Sequence, residues 1–197
     1  MKIINVTQGT QEWFDCRLGH FTASNAQAIA NNGKGLETLV FEKVAEKLTG
    51  KQKESYTNPD IERGHELEGM ARSNYEIETG SKVVEAGFCE LDEFVGCSPD
   101  GFVGDDGLVE IKCKNDANYV KYLYEKKVDS EYEWQMQMQM YVCDREWCDY
   151  VVFNENFNKF KIHRIDRDEA KIEKIKEGLK KGIEMMNKIM EEINGQD

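Results

Sequence analysis

Ser98-Pro99-Asp100-Gly101, the turn Asp105-Asp106-Gly107 and Glu110-Ile111-Lys112 within the apolar run 108–113 decide how this chain is read. Side chains alternate along a strand, so Glu110 and Lys112 project from one face and Ile111 from the other. The turn folds Asp100 back beside the same edge. Two carboxylates and an ammonium therefore converge, and hard oxygen ligands of this kind suit Mg2+, with Mn2+ as a substitute. Such a centre fits phosphodiester hydrolysis. A divalent ion polarises a phosphoryl oxygen and acidifies a bound water, while Lys112 orients or deprotonates that water or offsets developing charge. A surface hairpin with a salt bridge is the bland alternative. Isolated ExK triplets are common; the signal lies in a hydrophobic strand carrying ExK with a PD at hairpin distance upstream.

A further carboxylate comes from upstream. Residues 59–79 read as a helix, with Asn58 as a possible cap, Pro59 in the first turn and Gly80 as terminator. Ile61, Gly64, Leu67, Ala71 and Tyr75 form one apolar or small-residue face at helical spacing. Glu68 falls inside this face, whereas Glu62 and Glu66 lie elsewhere. A carboxylate among core positions needs a partner, either a metal or Arg72 at i+4. The residues alone leave these two open.

Around this centre the period of the sequence changes twice. The first half is mostly helical by pattern, with a helix start at Thr22-Ala23-Ser24 before 25–30 and a helix over 36–48 closed by Gly50. Strands are predicted at 83–90, 93–98 and 108–113, then helices over 118–126 and 131–142. Two more strands, 149–153 and 159–165, flank a polar turn at 154–158. An amphipathic helix over 167–193 follows, with the stripe Ile172, Ile175, Leu179, Ile183, Met186, Met190 and Ile193 facing the sheet or a partner subunit. Residues 134–140, Trp-Gln-Met-Gln-Met-Gln-Met, alternate strictly, which favours a strand by period. Gln and Met with no β-branched neighbour favour a helix, the reading adopted on residue type.

Size and composition set the frame. The 197 residues, 40% hydrophobic and 32% charged, fit one soluble globular unit with a sizeable core. Its parts are a helical region 1–80, a sheet core 81–165 and a C-terminal helix 166–194. No stretch has the apolar length to cross a bilayer, and residues 1–10 carry no secretion-signal pattern. A cytoplasmic location is expected. The six cysteines form no CxxC pair and fit no usual zinc spacing, so reduced thiols are expected, with Cys97 and Cys113 as small core residues. The net charge of −12 argues against a nucleic-acid coat protein. It does not exclude a nuclease, whose metal site needs carboxylates and whose positive charge can be confined to one face.

With these residues in view, the chain resembles the lambda-exonuclease family, the YqaJ-type viral recombinases of the PD-(D/E)XK nuclease superfamily. Trp13-Phe14-Asp15-Cys16-Arg17-Leu18-Gly19 and Thr22-Ala23-Ser24 match the family's W-x3-R-x-G…TAS signature. The helix segment 64–72, the CSPDG of 97–101, the EIKC of 110–113 and the YxxQxQ of 132–137 follow in the family's order. The resemblance implies an α/β restriction-endonuclease-like core, a mixed central sheet flanked by helices. It implies metal ligation by Glu68, Asp100, Glu110 and the backbone carbonyl of Ile111, with Lys112 catalytic. It also implies a pocket for a terminal 5′-phosphate formed by Arg17, Ser24, Ser98 and Gln135, where a guanidinium fork, hydroxyls and an amide match phosphate oxygens. By residue type alone, Arg17 reads as a surface ion-pair residue and Ser24 as a helix cap. The resemblance favours helix over 131–142.

The activity so implied is 5′-to-3′ resection of linear double-stranded DNA, leaving 3′ single-stranded tails for a single-strand annealing protein. The implied state is a homo-oligomer, a ring trimer in the lambda enzyme. Three alternatives stand beside it. A site-specific endonuclease of the same superfamily is opposed by the phosphate pocket. An iron–sulfur relative is opposed by Cys143 and Cys148 lacking a downstream cluster partner. A non-catalytic DNA-end-binding protein is opposed by the complete set of charged motif residues.

Overall fold

The structure, a computed structural model, describes residues 1–52, 59–157 and 160–195, and of 59–62 and 65 only the backbone. The expected cap Asn58, the end of the turn at Asn158, the strand start at Lys159 and the Ile61 side chain lie outside the described residues. The chain opens with β1 (Lys2–Ile4), α1 (Gln11–Arg17), β2 (Phe21–Thr22), a 3-10 turn at Ala23–Asn25, α2 (Ala26–Asn31) and α3 (Lys34–Thr49). Next come α4 (Pro59–Thr79), β3 (Val83–Val84), β4 (Phe88–Glu90), β5 (Val95–Cys97), β6 (Gly101–Val103) and β7 (Gly107–Cys113). The remaining elements are α5 (Asp116–Glu125), α6 (Ser130–Cys143), β8 (Trp147–Phe153), β9 (Lys161–Asp166) and α7 (Glu169–Asn194).

The strands form two mixed sheets, one ordered β1-β4-β5-β2 and the other β3-β6-β7-β8-β9. In the larger, β7 and β8 run parallel, joined by the α5–α6 crossover, and the other pairs are antiparallel. Alternation along β7 divides the interior into two cores. Leu108 joins a large cluster with Tyr150, Val152, Met136, Met138 and residues of α2, α3 and α7. Val109 and Ile111 join a smaller one with Val151, Phe153, and Ala71 and Tyr75 of α4. Residues of β7 with even numbers therefore look towards α6, and those with odd numbers towards α4.

Several sequence expectations change in detail. The helix expected over 25–30 is α2, but its start signal Thr22-Ala23-Ser24 is divided between β2, where Phe21 and Thr22 pair in parallel with Val95 and Gly96, and the 3-10 turn. Residues 83–90 are two strands in different sheets. The Gln8 side chain reaches the segment between them, its Nε2 donating to the Ala86 carbonyl at 2.9 Å and also to the Pro99 carbonyl at 3.0 Å. The β6–β7 turn is centred on Gly104, whose φ of 59° is left-handed backbone that glycine adopts without Cβ strain, while Gly107 is already paired with Val103. Residues 134–140 are helical, within α6. Met136, Met138, Met140, Gln137 and Gln139 are all buried, and a helix enclosed on every side loses the periodic signature that a surface helix shows. In α7 the stripe from Ile172 to Met186 packs inward, but Ile193 is exposed where the helix runs past the core.

Candidate active site

Pairing between β6 and β7 stops at Gly101↔Val109, and from Glu110 onward β7 keeps only β8. Pro99 precedes this point and has no N–H to continue the ladder. The open edge is capped by a side chain: the Ile111 N–H donates to Asp100 Oδ2 at 2.6 Å. In an extended strand the N–H and C=O of one residue point the same way, so the Ile111 carbonyl faces this open edge beside Asp100.

Glu110, 1% exposed, is held on three sides. Gln135 Nε2 donates to Oε1 at 2.7 Å, Gln139 Nε2 to Oε2 at 2.7 Å, and Lys112 Nζ lies 2.6 Å from Oε1. The Lys112 ammonium also sits 4.9 Å from the centre of the Tyr132 ring. Burial works against its charge, but the carboxylates of Glu110 and Asp100 hold its pKa above the ordinary lysine range. Burial, then the charge of Glu110, push the Asp100 carboxyl well above the usual carboxylate range.

Asp100, Glu110 and Lys112 share one pocket of about 220 Å3 with Arg17, Ser24, Ser98 and Gln135. The structure thus brings the two residue sets together. Arg17 is half-buried, with its guanidinium 4.2 Å from the Trp13 ring centre and 3.5 Å from the hydroxyls of Ser98 and Thr22. Among the described residues it has no carboxylate ion-pair partner, which removes the surface ion-pair reading. Burial pulls its pKa down to about 10, so it stays charged at neutral pH. Ser24 is exposed at the pocket rim and caps no helix, its hydroxyl lying 3.2 Å from that of Thr22. Gln135 lines the pocket and donates one of its two amide N–H groups to Glu110.

Glu68 stands apart. Its Oε1 accepts from Arg72 Nη2 at 2.8 Å, the i+4 ion pair that the sequence offered as an alternative, and Arg72 also pairs with Glu85. Glu68 and Asp100 line a second, larger groove of about 750 Å3. Among the described residues the carboxylates of Glu68, Asp100 and Glu110 do not all lie within 4.8 Å of one another.

Three contributors escaped the reading of the sequence. Trp13 Nε1 donates to Ser98 Oγ at 2.9 Å, Gln139 grips Glu110, and Gln8 lines the pocket while pinning Pro99. Two had a legible signal: Trp13 is i−4 from Arg17 and Gln139 is i+4 from Gln135, so each shares a helix face with a residue already singled out. Gln8 lies in a loop and offered none.

Comparison with known proteins now decides the family. Residues 12–146 match the YqaJ-like viral recombinase domain. The chain belongs to that family. This YqaJ-like chain is 35% identical to LHK-Exo, an alkaline exonuclease from Laribacter hongkongensis, over 95% of its own length and 97% of that chain, with a TM-score of 0.88. LHK-Exo in complex with dAMP gives the same identity, coverage and TM-score. A phage-related exonuclease from Haemophilus somnus 129PT, 17% identical over 88% of this chain and 96% of that one, shares the fold at a TM-score of 0.70. No curated protein matches the chain. The YqaJ-like chain thus has the PD-(D/E)XK-type α/β fold of these exonucleases. None of its described helices is long and apolar enough to cross a membrane.

Proposed function

We propose that the chain is a Mg2+-dependent deoxyribonuclease that degrades linear double-stranded DNA from the 5′ end. The observation that carries this is that Arg17, Ser24 and Ser98 line the same small pocket as Asp100, Glu110 and Lys112. An end phosphate seated on Arg17 and Ser98 places a nearby phosphodiester beside Asp100, Glu110 and Lys112. That proximity suits removal of short units from an end and disfavours cutting within an uninterrupted strand. Family membership and 35% identity to an alkaline exonuclease support the same reading.

The donor set fits a hard divalent cation. Glu68, Asp100 and Glu110 bring three carboxylates to the two pockets that share Asp100, where Lys112, Arg72 and Arg17 are the cations. Asp100, Glu110 and the Ile111 carbonyl would hold Mg2+ or Mn2+, and Glu68 would join them on leaving Arg72. When bound, the ion supplies polarisation of the phosphoryl oxygen and a more acidic water. Gln135 and Gln139 fix the Glu110 carboxylate. Lys112, whose proton is held firmly, orients water and offsets charge developing on the phosphate. Arg17, stacked on Trp13, binds the terminal phosphate, with Ser24 and Ser98 as hydroxyl donors.

The resected 3′ tail would pass to a single-strand annealing protein in the host cytoplasm, and a homo-oligomer, in its fullest form a ring trimer, would keep hold of the duplex. The test is nucleotide release from end-labelled linear duplex in Mg2+, with covalently closed circles as the control. Release from the 5′-terminated strand, arrest by EDTA and survival of circles are expected. Cut circles would make the protein an endonuclease, release from the 3′-terminated strand would reverse the polarity, and no release would leave an end-binding protein.

A further inference from the structure

Outside the pocket, three cysteines that are scattered in sequence meet in the core. Cys89 on β4 and Cys97 on β5 face each other directly across the antiparallel pair, and Cys143 is the last residue of α6. Their sulfur atoms all lie within 4.8 Å of one another, with Cys97 Sγ and Cys143 Sγ at 3.5 Å. All three are free thiols and 4% exposed or less. Isolated buried cysteines behave as small apolar residues, but three sulfurs converging on one point make a donor set.

The dimensions select the occupant. A thiolate-bound ion has metal–sulfur distances of about 2.3 Å, and three such bonds in a plane set the sulfurs about 4 Å apart. The cluster already has this size. Structural zinc takes four protein donors, and an iron–sulfur cluster also takes four. Among the described residues no further His, Cys, Asp or Glu completes such a set here. Monovalent copper is soft, prefers thiolates and accepts three of them.

We propose that Cys89, Cys97 and Cys143 form a three-coordinate site for a soft monovalent ion of the copper(I) class, separate from the carboxylate centre. Loading releases the thiol protons and ties β4 and β5 to the end of α6. Cys97 is bonded directly to Ser98, and Cys143 lies one turn beyond Gln139, so the ion braces two walls of the candidate active site.

The test is an anaerobic titration of the full chain with copper(I) against a competing bathocuproine chelator, followed by thermal melting. One equivalent withdrawn from the chelator, a near-ultraviolet sulfur-to-copper band and a raised Tm are expected, since an ion bound only by the folded state stabilises it. Cys89→Ser, Cys97→Ser and Cys143→Ser each lose all three signals, and Cys16→Ser keeps them. Cys143→Ala, an apolar replacement that suits the core, is melted in parallel so that loss of the site is distinguished from loss of the fold. Copper left with the chelator overturns the proposal, as does an equivalent that persists in any of the three variants. A lowered Tm would mean capture by the unfolded chain, and a Cys97–Cys143 disulfide in the isolated protein would make the cluster a redox pair; either result sinks it.

Discussion

Lys112 shows how much chemistry one side chain carries when its surroundings fix its charge. Paired with Glu110 at 2.6 Å and set over Tyr132, it is a positioned cation rather than a free base. Lys112→Ala is therefore expected to lower turnover by at least about 100-fold, the low end for a proton-handling or charge-stabilising group, with DNA binding retained. Single-turnover hydrolysis beside a binding titration checks this, and near-normal turnover would remove Lys112 from the mechanism. Arg17 belongs to recognition. Arg17→Ala should slow digestion of 5′-phosphorylated ends by roughly 10-fold or more, the value of a lost charge-assisted contact of about 1.5–3 kcal/mol, and leave 5′-hydroxyl ends nearly unaffected. If both ends lose activity alike, the phosphate assignment is wrong. Spacing made Lys112 legible and the family resemblance Arg17, but neither gave their state. That Arg17 has no carboxylate partner among the described residues, and that Gln135 serves Glu110, depend on neighbours brought in from other parts of the chain.

Elements were legible where burial is one-sided. The helices now labelled α3, α4, α5 and α7 announced themselves by apolar faces, caps and Gly50 or Gly80 behind their last turns. Short strands were not: β1 and β2 have three and two residues, too few for a period, and exist because a neighbour offers a ladder. The alternation in α6 came from a helix buried all round. A close approach between elements is equally invisible in sequence. At Gly178 of α7 a Cβ would fall 2.0 Å from the Ile29 carbonyl oxygen of α2, a backbone atom that cannot turn aside. Alanine is the better helix former by about 1 kcal/mol. The clash outweighs this, so Gly178→Ala should destabilise by about 1–3 kcal/mol, read as a Tm lowered by several degrees. A raised Tm would show that α2 and α7 do not pack as described.

For the molecule as a whole, the charge of −12 constrains how DNA is held. A net negative protein repels duplex DNA overall, and on the proposed reading the attraction comes from the pocket mouth where Arg17 and Lys112 lie. The logarithm of the end-binding constant should therefore fall with the logarithm of salt with a shallow slope, about −2 to −3 per chain. Binding isotherms from low to physiological salt measure it, and a slope near −10 would mean that many more phosphates are neutralised than Arg17 and Lys112 reach.

Strand alternation and the turn after Asp100 determined by themselves the facing of Glu110 and Lys112, while the motifs between Trp13 and Gln137, taken in order, carried the resemblance that implied the α/β class and the family. These are local properties, fixed by strand alternation and short-range spacing. Only the tertiary structure decided that residues 83–84 and 88–90 join different sheets, that Gln139 closes over Glu110 and that three distant cysteines converge. Each of these pairs groups far apart along the chain. No local pattern encodes such a meeting, because it depends on how whole elements dock to bury their apolar faces.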